Sequence, residues 1–355
     1  MKSGIDKKIT VKNKSERNVR LIFAILLALV VVFLILDIFL GSVNIKATEV
    51  ISAIFRHTGN NYETIILRFR LPKAVTALIV GVALSLSGLQ MQTVFRNPMA
   101  GPYVLGISSG ASLGVAFVIL GFSSNITPES LNGFGNWILV AASWLGAGAV
   151  MLLIMVISSR VKDIMTILIL GIMLSSGISA IVTIMQYFSN ETMLKAYVIW
   201  TMGSLGNLTS SQLNVLFISI ITGVTMSLFS SKMLNALLLG ENYAASIGLN
   251  VRFARTVIFI CTSILAGSVT AFCGPIGFIG IAVPHMVRIL FKTSDHRVLL
   301  PGTILMGGIV MLISDIISQL PGSESILPVN AVTSLIGIPV VIWVILNKSK
   351  YSVSF

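Results

Sequence analysis

The sequence predicts an all-α polytopic membrane protein of about ten transmembrane helices, and three observations carry that prediction. Of 355 residues, 55% are hydrophobic and 10% charged, and the mean hydropathy is +0.97. A soluble domain of this length needs a charged exterior that this composition does not supply. Apolar runs of about 20 residues, the length that crosses a bilayer, recur along the chain. Lys and Arg are unevenly shared between the segments that separate those runs. The net charge of +12 lies at the flanks of apolar spans without aromatic interleaving. That is a topology signal, not a nucleic-acid surface.

Residues 1–20 form a basic tail carrying Lys2, Lys7, Lys8, Lys12, Lys14, Arg17 and Arg20. The apolar run 21–40 outlasts the ~7–15 residues of a secretory signal core, and no small-residue cleavage site follows. It is a first span. The others fall near 74–95, 103–121, 136–158, 164–188, 211–230, 253–273, 276–291, 299–320 and 329–347, with a short tail at 348–355. The stretch 190–210, which includes Trp200, reads as interfacial. No gap holds a soluble domain, so 21–347 is one transmembrane domain.

Ten spans leave both termini on one side, and charge assigns that side to the cytoplasm. The outer side then keeps only Lys46, Arg56, Arg68, Arg70, Lys73 and Lys195 of the 24 Lys and Arg, as the positive-inside rule requires. Half of those outer charges sit at 68–73, just before span two. Arg70 and Lys73 either snorkel to lipid headgroups or receive an acidic soluble partner from outside.

After span two comes the polar elbow Arg96-Asn97-Pro98. Pro102 suits the first turn of span three, where its missing N–H is no loss. Gly106, Gly110 and Gly114 then recur every four residues and form a groove for a second backbone. On span five, Gly171, Ser175 and Ser179 make a small, weakly polar face. It is a packing face or the wall of a wide pathway, to which Ser108, Ser109 and Ser112 of span three could add. Spans two to five and seven to ten are five apart, an odd offset that inverts the second set. The segments NPMAGPYVLG (97–106) and GPIGFIGIAVPH (274–285) share Gly and Pro placement.

Several chemistries are missing. No G-x-x-x-x-G-K-[ST] loop occurs to cradle a nucleotide. Cys261 and Cys273 have no metal or redox spacing and read as small buried hydrophobes. Of His57, His285 and His296, only His285 lies near a span, and a structural hydrogen bond is expected of it. The acids inside apolar runs are Asp37 and Asp315, both towards the outer ends. The buried titratable pair that an ion-coupled secondary carrier needs is therefore expected to be absent, as is any intramembrane hydrolase constellation.

The loop 231–252, SKMLNALLLGENYAASIGLNVR, is cytoplasmic by charge yet contains three consecutive leucines. Gly240 and Gly248 bracket a short helix with Glu241 at its N-terminus, where the helix dipole favours an anion. Such a helix is interfacial or docks into another protein's groove.

Several long stretches, in order, resemble the FecCD-type permease subunits of binding-protein-dependent ABC importers for iron–siderophore and vitamin B12. They are RLPKAVTALIVGVALSLSGLQMQ, NPMAGPYVLGISSGASLG, LLLGENYAASIGL, GPIGFIGIAVPHMVRIL, SDHRVLLPG and LPVNAVTSLIGIPVVIW, and the resemblance runs over nearly the whole chain from about Arg68 to Asn347. The resemblance implies a type II ABC importer permease of ten helices in the bacterial cytoplasmic membrane, both termini inside. It implies a dimer, with a second copy or a paralogue, around a central pathway. Two cytoplasmic ATPase subunits carry ATP and Mg, and this chain binds no cofactor or metal and is not itself an enzyme. Solute arrives on an extracytoplasmic binding protein or lipoprotein. Glu241, Ala244, Ala245 and Gly248 fall on the family's ATPase-coupling pattern, and Arg70 and Lys73 on its binding-protein docking positions. Two positions depart: Gln319 stands where a third docking arginine is usual, and Asn330 where a glycine is usual. The cargo implied is an iron–siderophore or similar metal chelate; cobalamin or haem is the alternative, and a secondary carrier a more distant one.

Overall fold

The computed structural model describes residues 2–41, 43, 45–55, 61–121, 134–161, 163–319 and 326–346. Among them every regular element is helical. In chain order these are α1 (Lys2–Phe39), α2 (Ala47–Phe55), α3 (Asn61–Ile65), α4 (Leu71–Val94), α5 (Ile107–Ile119), α6 (Phe134–Arg160), α7 (Ile164–Tyr187), α8 (Glu191–Thr201) and α9 (Ser210–Phe229). Then come α10 (Ser231–Leu238), α11 (Glu241–Ser246), α12 (Val251–Thr262), α13 (Ser268–Cys273), α14 (Ile279–Phe291), α15 (His296–Ser318) and α16 (Val329–Leu346). One π-helical turn, Ile66–Arg70, joins α3 to α4, and another, Ser263–Gly267, joins α12 to α13. Arg56, His57, Lys162 and the tail 348–355 lie outside the described residues.

The ten expected spans correspond to α1, α4, α5, α6, α7, α9, α12–α13, α14, α15 and α16. Seven of these are long and apolar enough to cross a bilayer alone; α5, α14 and the apolar part of α16 are shorter. Successive crossings put α2, α3 and α8 at one end of the bundle, here the α8 end. The short helices α10 and α11 lie at the other, the α11 end.

α1 runs unbroken from Lys2 through the basic tail into span one. One expectation about a helix start is corrected. Span three does not start at Pro102, because Gly106 has φ +80° and stops helical hydrogen bonding before Ile107. Thirteen helical residues rise only about 20 Å, less than the hydrocarbon core. The rest of that crossing is unwound backbone, 97–106, which is tolerable at membrane depth only inside protein. Its groups are met accordingly: Asn97 N donates to Gln92 O at 3.1 Å, Met99 N to Asn97 Oδ1 at 2.9 Å and Gly106 N to Tyr103 O at 2.9 Å. His285 Nε2 donates to Pro98 O at 2.8 Å, the structural role expected of that histidine.

The counterpart is α14, also thirteen residues and entering from the opposite end. It too is preceded by left-handed backbone, at Gly274 (φ +75°) and Phe278 (φ +65°). Asn330, the departure at the start of α16, supports this unwound segment. Its Oδ1 accepts from Gly277 N at 2.9 Å, and its own N–H donates to Met202 O at 3.2 Å.

The buried centre is α4. A Cβ on Gly88 would lie 1.8 Å from Gly280 O, so α14 crosses α4 in backbone contact. Gly81 meets Gly307 of α15 in the same way. A fully buried polar knot joins α4 to α9 and α12. Gln90 Nε2 donates to Ser227 Oγ at 2.8 Å, and Thr262 Oγ1 to Gln90 Oε1 at 3.0 Å. Cys261 lies in this knot and Cys273 is buried elsewhere; both are free thiols.

The second seam joins α5 to α6. A Cβ on Gly110 would lie 2.5 Å from Gly146 O, and one on Gly114 2.0 Å from Ala142 O. Two of the three glycines therefore form the predicted groove, and the third, Gly106, ends it.

Candidate functional site

At the α11 end, α10 is fixed by a polar node that the sequence reading missed. Asn235 Nδ2 donates to Asp295 Oδ1 at 2.7 Å, and His296 N donates to Asn235 Oδ1 at 2.8 Å. Asn235 Oδ1 also lies 2.7 Å from His296 Nδ1, and an amide oxygen only accepts, so Nδ1 carries the ring proton. His296 Nε2, 2.8 Å from Thr93 Oγ1, is left to accept. His296 is fully buried. The node ties α10 to the start of α15 and the end of α4, and the signal available for it was the Asp-His pair opening an apolar run.

From this anchor the chain turns at Gly240 (φ +106°) into α11 and leaves it at Gly248 (φ +87°). A Cβ is disfavoured in both conformations. Glu241 begins α11 and pairs with Arg255 of α12 through both Nε, at 2.8 Å, and Nη2. Ala244 is buried beneath the helix, whereas Ala245 and Gly248 face outward. Leu239, Tyr243 and Ile247 are 61%, 49% and 58% exposed. A short helix clamped on one side and exposing Tyr243 with its neighbours Leu239 and Ile247 on the other, at the end of a membrane bundle, has the form of a docking element.

At the α8 end, the outer ends of α1, α4 and α15 meet. Arg70 is largely buried, although it helps line the cavity beside this cluster. Its guanidinium donates to the last carbonyls of α1, Ile38 O at 3.1 Å and Phe39 O at 3.0 Å, and to Val43 O. A cation there also complements the helix dipole. Lys73 Nζ lies 3.0 Å from Asp315 Oδ1. Gln319 Nε2 donates to Asp37 Oδ1 and to Asp315 Oδ2, both at 2.9 Å.

Asp37, Asp315, Arg70 and Gln319 are all buried. The expected absence of a buried titratable pair is thus overturned. The two carboxylates share one amide nitrogen because α1 and α15 end side by side. They remain near the helix ends, away from mid-bilayer, where ion-coupled carriers place such groups. Arg70, Lys73 and Gln319 are brought together at this cluster, Arg70 and Gln319 buried and Lys73 part-exposed. Four charges at the same depth of three predicted spans were the signal. A cavity of about 720 Å³ opens beside the cluster, lined among others by Phe69, Lys73, Trp200, Gln212 and Gln319.

The residues expected along a pathway divide into two sets. Gly171 packs on the unwound segment before α5, where its Cβ would lie 2.6 Å from Val104 O, and Ser175 reaches Gly106. Ser109 is half-buried on α5, and Gly110 and Gly114 are packed against α6. Ser179 is exposed, together with Ser176, Gly177 and Thr183 on α7. The i, i+4, i+8 face of α7 therefore passes from packed to open as the helix leaves α5. No group of His, Cys, Asp and Glu suited to a metal ion occurs among the described residues.

Among the described residues, seven helices long and apolar enough to cross a bilayer, three shorter apolar ones and broken helices at the centre define an integral membrane protein of the transporter class. Residues 28–347 match the FecCD transport family, to which this chain belongs, and it is a permease of an ABC importer. It is 34% identical over 340 residues to the vitamin B12 import system permease protein BtuC of Salmonella paratyphi A, covering 96% of this chain and 98% of that one. The same protein of Salmonella typhimurium matches equally well, at 34% over 340 residues with the same coverage. Among solved structures it is similar to an ABC transporter assigned to the metal-chelate type, in an inward-facing conformation. That match has a TM-score of 0.79 and 28% identity, covering 92% of this chain and 99% of that one. PsaBC from Streptococcus pneumoniae, in complex with Fab, shares the fold at TM-score 0.51 and 14% identity, over 79% of this chain and 92% of that one.

Proposed function

We propose that this permease imports a large metal chelate, an iron–siderophore, with ATP hydrolysed on separate cytoplasmic subunits. The observation that carries the reading is α11, a short helix clamped by Arg255–Glu241 that, with its flanking residues, offers Leu239, Tyr243 and Ile247 to a partner. The α11 end faces the cytoplasm, in keeping with the positive charge of residues 1–20 and the elbow Arg96. Both termini are then cytoplasmic. Glu241, Ala244, Ala245 and Gly248 lie where the ATPase docks, with ATP and Mg held by that partner and no cofactor held by this chain.

Closure of the ATPase pair displaces α11, and the node at Asn235 and His296 passes the displacement to α4 and α15. The bundle then alternates between inward-open and outward-open states. A second copy or paralogue covers the open face of α7, whose hydroxyls bond back to their own helix. Ser176 Oγ donates to Ile172 O at 3.0 Å and Thr183 Oγ1 to Ser179 O at 2.9 Å. Such a face offers a bulky solute little to bind, so selectivity rests with the extracytoplasmic binding protein, which docks at the α8 end. Membrane lipids surround the remaining faces.

Cobalamin is the second reading, favoured by 34% identity to a vitamin B12 permease. The test is uptake into ATP-loaded proteoliposomes holding the permease, its ATPase and its binding protein. Iron–siderophore accumulation that competes poorly with cobalamin supports the first reading. The reverse preference supports the second, and uptake of neither with either binding protein refutes both.

A further inference from the structure

We propose that Lys73 is a docking cation held by an internal latch, and that Asp315 is the positioning residue that controls its release to a carboxylate of the binding protein. The inference rests on the α8 end being the docking face. Its ground is an asymmetry within the buried cluster. The Lys73 side chain keeps 18% of its surface and lines the open cavity, whereas Asp315 keeps none. The lysine, on a flexible four-carbon stem, can turn towards the cavity; the aspartate cannot follow.

When Lys73 turns away, Asp315 is still held. Gln319 Nε2 donates to it at 2.9 Å and Ser318 Oγ at 3.4 Å, so the carboxylate is not left bare. Arg70 has no such freedom. It is tied to three carbonyls at the end of α1, and it lies over Gly41, where a Cβ would be 2.8 Å from the guanidinium. Of the three positions that the docking pattern falls on, only Lys73 can exchange partners. A carboxylate arriving in the cavity competes with Asp315 for the ammonium. The exchange removes the ion pair that clamps the outer end of α4 to α15. Arrival of the loaded binding protein and loosening of the outer end thereby become one event.

The experiment titrates the permease–ATPase complex in nanodiscs with its binding protein at low and moderate salt. Asp315→Asn keeps the side-chain shape but removes the charge that holds Lys73. Docking is expected to tighten about tenfold and to depend more steeply on salt, as for a newly exposed cation. Lys73→Gln should weaken docking, and in the double variant the gain should vanish. A role of Asp315 in folding alone would neither tighten docking nor require Lys73.

If Asp315→Asn leaves docking unchanged or weaker while Lys73→Gln weakens it, the latch is refuted and the docking role of Lys73 stands. If Lys73→Gln also changes nothing, that docking role has failed. Should Asp315→Asn not assemble, Asp315→Glu keeps the charge but displaces it by one methylene, and loosens the pair with Lys73 by a different route. A gain that survives Lys73→Gln in that background refutes the latch too.

Discussion

The two ends of this bundle use the same residue types in opposite ways. At the α8 end, Arg70 and Lys73 are turned inward, onto the carbonyls of α1 and the carboxylate of Asp315. At the α11 end, Arg255 holds Glu241 from beneath and leaves Tyr243, with its neighbours Leu239 and Ile247, exposed on the outer side. One end uses charge to close helix ends against each other. The other uses charge to aim a short helix at something outside. An arginine at a helix boundary therefore has no fixed meaning; what matters is whether its partners lie on neighbouring spans or on its own loop.

The largest expected effect is one that should strike both ends alike. Gly110→Leu places a branched side chain where even a Cβ lies 2.5 Å from Gly146 O, so α5 and α6 cannot close. Loss of assembled protein by size-exclusion in detergent is expected; a normal yield would show that the seam is not packed. Arg70→Ala should follow, as a stability effect confined to the α8 end. It removes three bonds from a charged donor, and a loss of about 3 kcal/mol is expected after partial compensation. A melting temperature equal to that of the parent protein would contradict the inward reading of Arg70.

At the α11 end the order should reverse, with function changing more than stability. The Glu241 side chain is 29% exposed, and a pair this open contributes about 1 kcal/mol or less. Glu241→Arg should therefore fold, melt within a few degrees of the parent, and lose most ATP-driven uptake. Restoring the pair in reverse, with Arg255→Glu added, should recover stability first. Uptake unchanged in the single variant would remove α11 from the coupling path. Ser179→Ala should have the smallest effect, within about 0.5 kcal/mol because the site is exposed. A larger loss of stability would mean that α7 is packed there.

Much of this architecture was legible in the sequence. Ten crossings followed from apolar runs and their flanking charges, and α11 from two glycines bracketing Glu-Asn-Tyr-Ala-Ala-Ser-Ile, one residue longer than the helix found. The groove at Gly110 and Gly114 followed from a four-residue spacing. What failed has physical reasons. The start of span three was misplaced because Pro102 is compatible with a helix start but does not compel one, and Gly106 in left-handed backbone overrode it. His296 was passed over because its partners, Asn235 and Thr93, come from helices 61 and 203 residues away in sequence. Arg70, Lys73, Asp37 and Asp315 were each placed at the right depth, but periodicity along single helices cannot say which helix ends adjoin. Nor did any sequence feature reveal the backbone contact of Gly88 with Gly280, because isolated glycines in apolar helices have many explanations.

The central claim is that α11 couples this permease to an ATPase on another chain. The most direct measurement is co-purification from mild detergent of the parent protein and Glu241→Arg, followed by ATPase assay of each with and without the loaded binding protein. The account predicts an ATPase subunit bound to the parent and stimulated by the binding protein, and its loss or loss of stimulation in the variant at unchanged permease yield. An intact permease that retains no ATPase, in membranes that still take up solute after ATP is removed, would contradict it.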